Sequence, residues 1–336
     1  MDVRDFLSDD GQAVLALCSN FALAEDGPSA LTLSEWNELE TQIENSSLAG
    51  PAELPGLGAE KIAKELGIPE GEAERVAALL DRAGRLAMQL EEVFSKGMWV
   101  LTRVDSGYPV QLQHTLKHQA PTVLFGSGER SLLNQAAVAV VGSRHIDEAG
   151  AAFARAVGKK CVESGLVVVS GGARGTDRLA MDGALSEEGK AMGVLADSLE
   201  ATIRKPDVQE FVADGRLVLV TPYGPTAGFS VGGAMGRNKV IYGLSEFAVV
   251  VSSDVNTGGT WAGAVEALKG QWCPVFVREG SGVPEGNRAL LKKGALPIGD
   301  EQVGEDANFG EWLRKQQTGT QAKTKKSAAQ QQDLFG

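Results

Sequence analysis

The sequence predicts an α/β protein in which a parallel sheet, covered by helices on both faces, follows an N-terminal helical domain. From about residue 97 onward, short Val-rich runs alternate with helical stretches, which is typical of strands buried on both faces of a parallel sheet. Before that point, apolar residues recur at helical spacing. The chain has 336 residues, which is enough for about two domains.

Residues 1–96 are predicted to form the helical domain. Thr32 or Ser34 is placed to cap a helix, and a further helix is expected over 70–92. Between them, the turn and helix LPGLGAEKIAKEL resemble a helix-hairpin-helix or SAM-like element, in which glycine amides contact a DNA phosphate. The alternative is a plain helical packing module.

Two strands, at 98–102 and 121–125, lead into the alternating part of the chain. Later strands are expected at 136–141, 166–170, 191–195, 217–221, 247–252 and 274–277, with helices at 147–163, 177–188, 206–214, 237–244 and 259–269. This order predicts an extended, Rossmann-like, doubly wound sheet over 97–304. Ligands of such sheets bind beyond the carboxyl ends of the strands.

Composition excludes several classes of function. The net charge of −12 argues against a wholly basic DNA-binding surface but is compatible with a local cationic cleft. Three separated cysteines and three histidines argue against a disulfide framework and a histidine-built metal centre, so we expect no metal and no cofactor. The acidic start and the absence of a long apolar run predict a cytoplasmic protein without a signal peptide.

Four glycine-rich segments follow predicted strands at one edge of the sheet. Each combines unobstructed backbone amides with polar or cationic side chains, which suits an anion such as phosphate. For each segment the alternative is a structural turn or a solvated helix end. The candidate phosphate-binding residues are Gly142, Ser143 and Arg144; Gly171, Gly172, Arg174 and Gly175; Arg237, Asn238 and Lys239; and Gly258, Gly259 and Thr260.

Together the segments predict one groove, lined by Arg144, Arg174, Arg237 and Lys239, that fits a phosphate chain or a phosphorylated nucleotide. The sequence contains no convincing Ser–His–Asp, Cys–His or paired-carboxylate set. We therefore expect a binding protein without a catalytic residue.

The order and spacing of these segments resemble the DNA-processing protein A (DprA/Smf) family. VGSR, GGARGTD, RNKVIYGLS, TGGTWAGAVEAL and GNRALLKKGA follow one another over about 108–295. The resemblance implies a non-enzymatic, homodimeric protein that binds single-stranded DNA and helps to load a RecA-type recombinase during natural transformation, the uptake of DNA. It assigns phosphate contacts to Arg144 and Arg237. This chain resembles a divergent member without the winged-helix domain of many relatives.

The chain departs from the family pattern near two predicted DNA contacts. Phe229, which with Trp261 is expected to stack on bases, is separated from Arg237 by a glycine-rich insert. Lys205 stands where the family has a Tyr-Pro-x-x-Asn stretch, and it supplies a cation there.

Two other functions stay open at this point. The first is a nucleotide-binding sensor or phosphoribohydrolase-like enzyme on a related Rossmann fold, because TGGT partly resembles the hydrolases' PGGxGTxxE motif. In this chain Glu266 is displaced from the motif's glutamate position. The second is a scaffold that acts only through protein partners, which leaves the cationic segments unexplained.

Residues 305–336 are predicted to form a disordered tail, because their composition is too polar to bury a core. The tail carries QQDLF, which resembles the bacterial sliding-clamp binding peptide. In that interpretation Leu334 and Phe335 enter an apolar pocket and Gln331 forms a hydrogen bond at its rim. The alternatives are a chance motif and a tail that docks on its own body.

Overall fold

The computed structural model describes residues 7–21, 23, 27–304 and 307–316. Two compact units divide the chain: Met1–Asn134 with Gly193–Gly243, and Gln135–Met192 with Leu244–Gly336. The domain boundaries predicted at 96/97 and 304/305 remain predictions. The peptide of Gln331, Leu334 and Phe335 lies outside the described residues.

The elements alternate as the sequence pattern predicts. The helices are α1 (Asp9–Cys18), α2 (Leu33–Glu44), α3 (Ala59–Leu66), α4 (Glu70–Leu80), α5 (Ala83–Ser95), α6 (Val110–Leu116), α7 (Glu148–Glu163), α8 (Thr176–Leu185), α9 (Leu199–Thr202), α10 (Pro206–Ala213), α11 (Val231–Gly243), α12 (Gly258–Gly270) and α13 (Glu285–Lys292). The strands are β1 (Met98–Thr102), β2 (Val123–Gly128), β3 (Ala137–Gly142), β4 (Val167–Ser170), β5 (Ala191–Val194), β6 (Leu217–Thr221), β7 (Phe247–Ser252), β8 (Val275–Arg278) and β9 (Leu296–Ile298).

Strand order separates an antiparallel part from a parallel part. In the first unit the order is β1-β2-β6, and β2 pairs antiparallel with both β1 and β6. In the second unit the order is β4-β3-β7-β8-β9, and every neighbouring pair is parallel. β3, β4, β7 and β8 are almost wholly buried, as their Val-rich sequences require. The predicted α/β, Rossmann-like class is confirmed. β9 was not predicted.

The start of α2 is fixed by a capping box. The amide of Glu35 donates to Thr32 Oγ1 at 3.3 Å, and the amide of Thr32 donates to Glu35 Oε2 at 2.7 Å. Thr32, and not Ser34, is therefore the cap. The Arg75 guanidinium also donates to the Glu35 carboxylate, and these hydrogen bonds, with that of Arg75 first, lower the pKa of Glu35 to about 2.

The single helix predicted over 70–92 is wrong, because α4 ends at Leu80 and α5 begins at Ala83. Arg82 lies in the break, where its guanidinium donates to the carbonyls of Ser19 at 2.6 Å and Phe21 at 2.7 Å. These carbonyls follow the end of α1 and need donors. A tertiary contact therefore interrupts a pattern that is locally helical.

Residues 309–316 are helical, so the prediction of a patternless tail is wrong for this segment. Phe309 and Leu313 are buried, and the Trp312 ring lies 5.0 Å from that of Phe276. Apolar residues at helical spacing bury one side of this helical segment, and Trp312 packs on Phe276 of β8. None of the described helices has the length and apolar character needed to cross a membrane.

Candidate nucleic-acid interface

The turn after β3 positions Arg144. A Cβ at Gly142 would collide with the Thr176 side chain, so only glycine fits there. The amide of Ser143 donates to the carbonyl of Ser252 at 2.9 Å, which ties the turn to the end of β7. Arg144 then emerges with an exposed side chain.

The turn after β4 is held in close contact with the turn after β3. Gly175 has a φ of +90°, and a Cβ there would lie 2.6 Å from the carbonyl oxygen of Arg144 and 2.7 Å from that of Ser143. Thr176 donates to the same Ser143 carbonyl through its amide at 3.2 Å and its hydroxyl at 3.1 Å. The backbones that carry Arg144 and Arg174 are thus held in direct contact.

An open cleft of about 960 Å³ lies in the second unit beside these two turns. Its charged character comes from arginines that are all exposed. The cleft is lined by Arg144, His145, Ile146, Asp147, Ala151, Arg155, Gly172, Arg174, Gly175, Arg178 and Leu179. Among the predicted residues, the structure therefore brings together Arg144, Gly172, Arg174 and Gly175, while Gly142, Ser143 and Gly171 belong to the same two turns.

Sequence reasoning missed Arg155 and Arg178, which also line the cleft. Arg155 lies in the middle of α7, far from any glycine-rich segment. Arg178 lies in the first turn of α8, directly after the GGARGTD motif, and this proximity was the available signal.

One acidic group borders the cleft. Asp147 caps α7 by accepting a hydrogen bond from the amide of Gly150 at 2.7 Å. Arg278, a buried residue at the end of β8, approaches Asp147 Oδ1 to 3.9 Å, and its guanidinium lies 5.4 Å from the centre of the Phe153 ring. Asp147 is thus engaged by the fold on two sides.

The fourth segment forms the start of α12, and none of Gly258, Gly259 and Thr260 lines this cleft. Gly258 has a φ of +78° and is exposed, which leaves its backbone open to solvent. Trp261 is only 9% exposed, and Lys293 Nζ lies 5.8 Å from its ring centre. The expectation that Trp261 offers an exposed face to a base is therefore wrong.

Asn287, which sequence reasoning also missed, holds the turn after β7. Its side-chain oxygen accepts from the amide of Ser253 at 2.8 Å, and its nitrogen donates to the carbonyls of Val251 at 3.0 Å and Arg278 at 2.8 Å. The asparagine is fully buried, so these backbone groups have no access to water. It follows Gly286 in the GNRALLKKGA segment, which was the available signal.

The third segment lies in the first unit and differs from the prediction. α11 begins at Val231, so the glycine-rich insert before Arg237 is helical, and the predicted helix start at 237 is wrong. Arg237 is 6% exposed, which makes the expectation of an open, groove-lining guanidinium wrong. Burial raises the pKa of the Tyr223 hydroxyl, and the nearby charge of Arg237 opposes that rise.

The remaining predicted contacts of the first unit are more accessible. Lys205 is exposed at the start of α10, and Phe229 is 54% exposed. Asn238 and Lys239 are partly exposed, and Lys239 Nζ lies 3.4 Å from Gln119 Oε1. The convergence of these residues with Arg144 and Arg174 in one groove stays a prediction.

The described residues include no group of three or more His, Cys, Asp or Glu side chains placed to hold a metal ion. Burial raises the pKa of Cys273 to about 12 and that of Cys161 further, so both thiols are protonated at neutral pH. Glu266 is the ninth residue of α12, two turns from its start.

The protein has a Rossmann-like fold, and an exposed arginine cleft whose charge suits an anion lies beside interlocked turns at the carboxyl ends of its parallel strands. The sequence model of the family "DNA recombination-mediator protein A" matches residues 99–305. The chain belongs to this family.

Comparison with individual relatives supports the same family assignment. The DNA processing protein DprA of Streptococcus pneumoniae is 32% identical over 199 residues, which cover 57% of this chain and 68% of that protein. Protein Smf of Escherichia coli is 31% identical over 217 residues, covering 61% of this chain and 56% of that protein.

Solved structures show the same fold. The X-ray structure of the Streptococcus pneumoniae protein matches with a TM-score of 0.60 and 25% identity, over 80% of this chain and 95% of that one. The protein from Helicobacter pylori, solved for its single-stranded DNA binding mode, matches with a TM-score of 0.53 and 23% identity, over 65% of this chain and 96% of that one.

Proposed function

We propose that this protein binds single-stranded DNA through the arginine cleft and acts as a recombination mediator that delivers the strand to a RecA-type recombinase. The observation that carries the proposal is the cleft itself, in which exposed Arg144 and Arg174 stand on two turns held in direct backbone contact. Membership of the recombination-mediator family supports the same function.

The geometry suits a phosphate backbone. A guanidinium binds two phosphate oxygens at once through parallel N–H donors, and its charge does not depend on pH in the physiological range. Because the turns are fixed by Gly142, Gly175 and Thr176, the two loop arginines lose little backbone freedom on binding. Because the whole protein has a net charge of −12, DNA is attracted only to the local arginine surface. The contacts there are made to phosphates, so the affinity for DNA falls steeply as the salt concentration rises.

Base contacts come from an exposed ring. Phe229 presents more than half of its surface to solvent and can stack on a base irrespective of sequence. Stacking requires unpaired bases, which favours single strands over duplexes. We therefore propose Phe229, and not the buried Trp261, as the aromatic contact.

Fluorescence anisotropy with a labelled oligothymidylate tests this function. We expect the Arg144→Ala, Arg174→Ala double variant to lose most of its affinity, and the loss to be the same for every sequence. Lys159→Ala is the matched control, since Lys159 is an exposed cation of α7 outside the cleft. Unchanged binding by the double variant would refute the proposal.

Further parts of the proposal concern assembly. We propose a cytoplasmic homodimer without enzymatic activity, and a tail that binds the sliding clamp through Gln331, Leu334 and Phe335. Light scattering gives the oligomeric state. Clamp affinity that survives the Leu334→Ala, Phe335→Ala double variant would exclude the tail interaction.

A further inference from the structure

Two arginines of the cleft, Arg155 and Arg178, belong to neither of the glycine-rich turns. We propose that they form a second phosphate subsite, which holds a neighbouring phosphate of the same strand whose backbone contacts Arg144 and Arg174. This inference rests on the proposed single-stranded DNA binding and extends it from one anchoring point to two.

The packing of α7 on α8 places these arginines together. A Cβ at Gly183 would lie 2.5 Å from the carbonyl oxygen of Arg155, and a Cβ at Gly158 would collide with the carbonyl of Ala180. Glycine at both positions lets the helix backbones touch. Arg155 on α7 and Arg178 on α8 consequently face one cleft although they are 23 positions apart in sequence.

Both arginines of this subsite are exposed to solvent. Arg155 forms no ion pair with any residue in the described part of the chain. Arg178 Nε lies 2.8 Å from Asp182 Oδ1, in a pair one helical turn apart whose two side chains are both 44% exposed. Exposed pairs of this kind contribute little and exchange readily, so a phosphate can compete with Asp182 for Arg178.

The size and the charge of the cleft fit more than one phosphate. Its volume of about 960 Å³ lies at the upper end of the range of about 300–1,000 Å³ that accommodates whole drug-sized ligands. Four cations line it, whereas Asp147, the acidic residue of the lining, is already engaged as the cap of α7. Mutual repulsion among four arginines is relieved when phosphates enter between them.

The salt dependence of DNA binding reports how many phosphates the protein contacts, so it tests the second subsite. For single strands the slope of log K against log salt is about −0.7 for each phosphate contact, so the Arg155→Gln, Arg178→Gln variant, which loses the one phosphate of the second subsite, should have a slope shallower by about 0.7. The positive charges are retained, on slightly shorter side chains, in Arg155→Lys, Arg178→Lys, which should keep most of the wild-type slope. Lys159→Gln, which removes one positive charge from α7 outside the cleft, is the control and should keep the wild-type slope too.

Asp182→Asn tests competition for Arg178 without removing a cation. Releasing Arg178 from its ion pair should raise the affinity for oligothymidylate by about threefold at low salt. When Asp182→Asn is combined with Arg178→Gln, it should raise the affinity for oligothymidylate by less than it does in the wild type.

The outcomes separate the two proposals. A wild-type slope in Arg155→Gln, Arg178→Gln, with weakened binding in Arg144→Gln, Arg174→Gln, overturns the second subsite and leaves the proposed function intact. A wild-type slope and affinity in both double variants overturns the proposed function. Far-UV circular dichroism of each variant confirms folding, and Arg155→Ala, Arg178→Ala, which also removes both charges, retains the test if the glutamine variant misfolds.

Discussion

Gly175 provides the sharpest test of how the fold builds the cleft, and Gly175→Ala is the perturbation. Its φ of +90° and ψ of −131° lie in a region that residues other than glycine rarely adopt, which costs about 1–3 kcal/mol. The added methyl would also lie 2.6 Å from the carbonyl oxygen of Arg144 and 2.7 Å from that of Ser143, and such overpacking costs about 1–3 kcal/mol. We expect a loss of about 2–6 kcal/mol in the free energy of unfolding.

Gly165→Ala is the matched control in the same unit. Gly165 has a φ of +68°, but a Cβ there meets no atom within 4 Å. We expect this variant to lose only about 1–2 kcal/mol, the cost of a left-handed backbone, and to bind DNA normally. The difference between the two variants isolates the clash between the turns.

Urea unfolding measures both losses, and anisotropy with oligothymidylate measures binding of the folded variants. Because the clash in Gly175→Ala pushes apart the turns that carry Arg144 and Arg174, its affinity should fall while that of Gly165→Ala does not. If Gly175→Ala is no less stable than Gly165→Ala and binds DNA like the wild type, the interlocked turns do not shape the site.

Three further predictions follow from other parts of the chain. Asn287→Ala should lower the free energy of unfolding by about 2–4 kcal/mol in urea melts, because buried backbone groups at three positions lose their hydrogen-bond partner. A loss in this free energy no larger than that caused by an alanine substitution on the protein surface would contradict the prediction. Phe229→Ala should weaken oligothymidylate binding by about 1–3 kcal/mol and leave the thermal midpoint unchanged, and equal affinity would exclude stacking there. The pKa of Glu35 is lowered from 4.5 to about 2, so the stabilising effect of its carboxylate is complete above pH 4.5 and is lost as the pH falls towards 2. The difference in thermal midpoint between the wild type and Glu35→Gln should therefore shrink between pH 4.5 and pH 2. A difference that stays constant over this interval would contradict the prediction.

Much of the fold and part of the site could be predicted because their signals are local. Buried strands show as Val-rich runs, and the turns of Gly142 and Gly175 show as glycines at strand ends. Arg144 and Arg174 stand beside those glycines, so the same pattern that predicts the turns also identifies them.

The rest depends on contacts between distant residues. Arg155 and Arg178 share the cleft only because glycines let α7 and α8 touch. Likewise, Arg82 interrupts a helical pattern because it binds carbonyls more than sixty positions away. Neither relation has a local signature, and the burial of Arg237 and Trp261 is equally invisible in the motifs that contain them.

Arginine footprinting tests the central claim, that the cleft grips the sugar–phosphate strand. Phenylglyoxal modifies accessible guanidinium groups, and mass spectrometry locates the modified residues. With saturating oligothymidylate, Arg144, Arg155, Arg174 and Arg178 should be protected, while Arg288, exposed on α13, reacts as before. Equal modification of the four cleft arginines with and without DNA would show that the strand binds elsewhere.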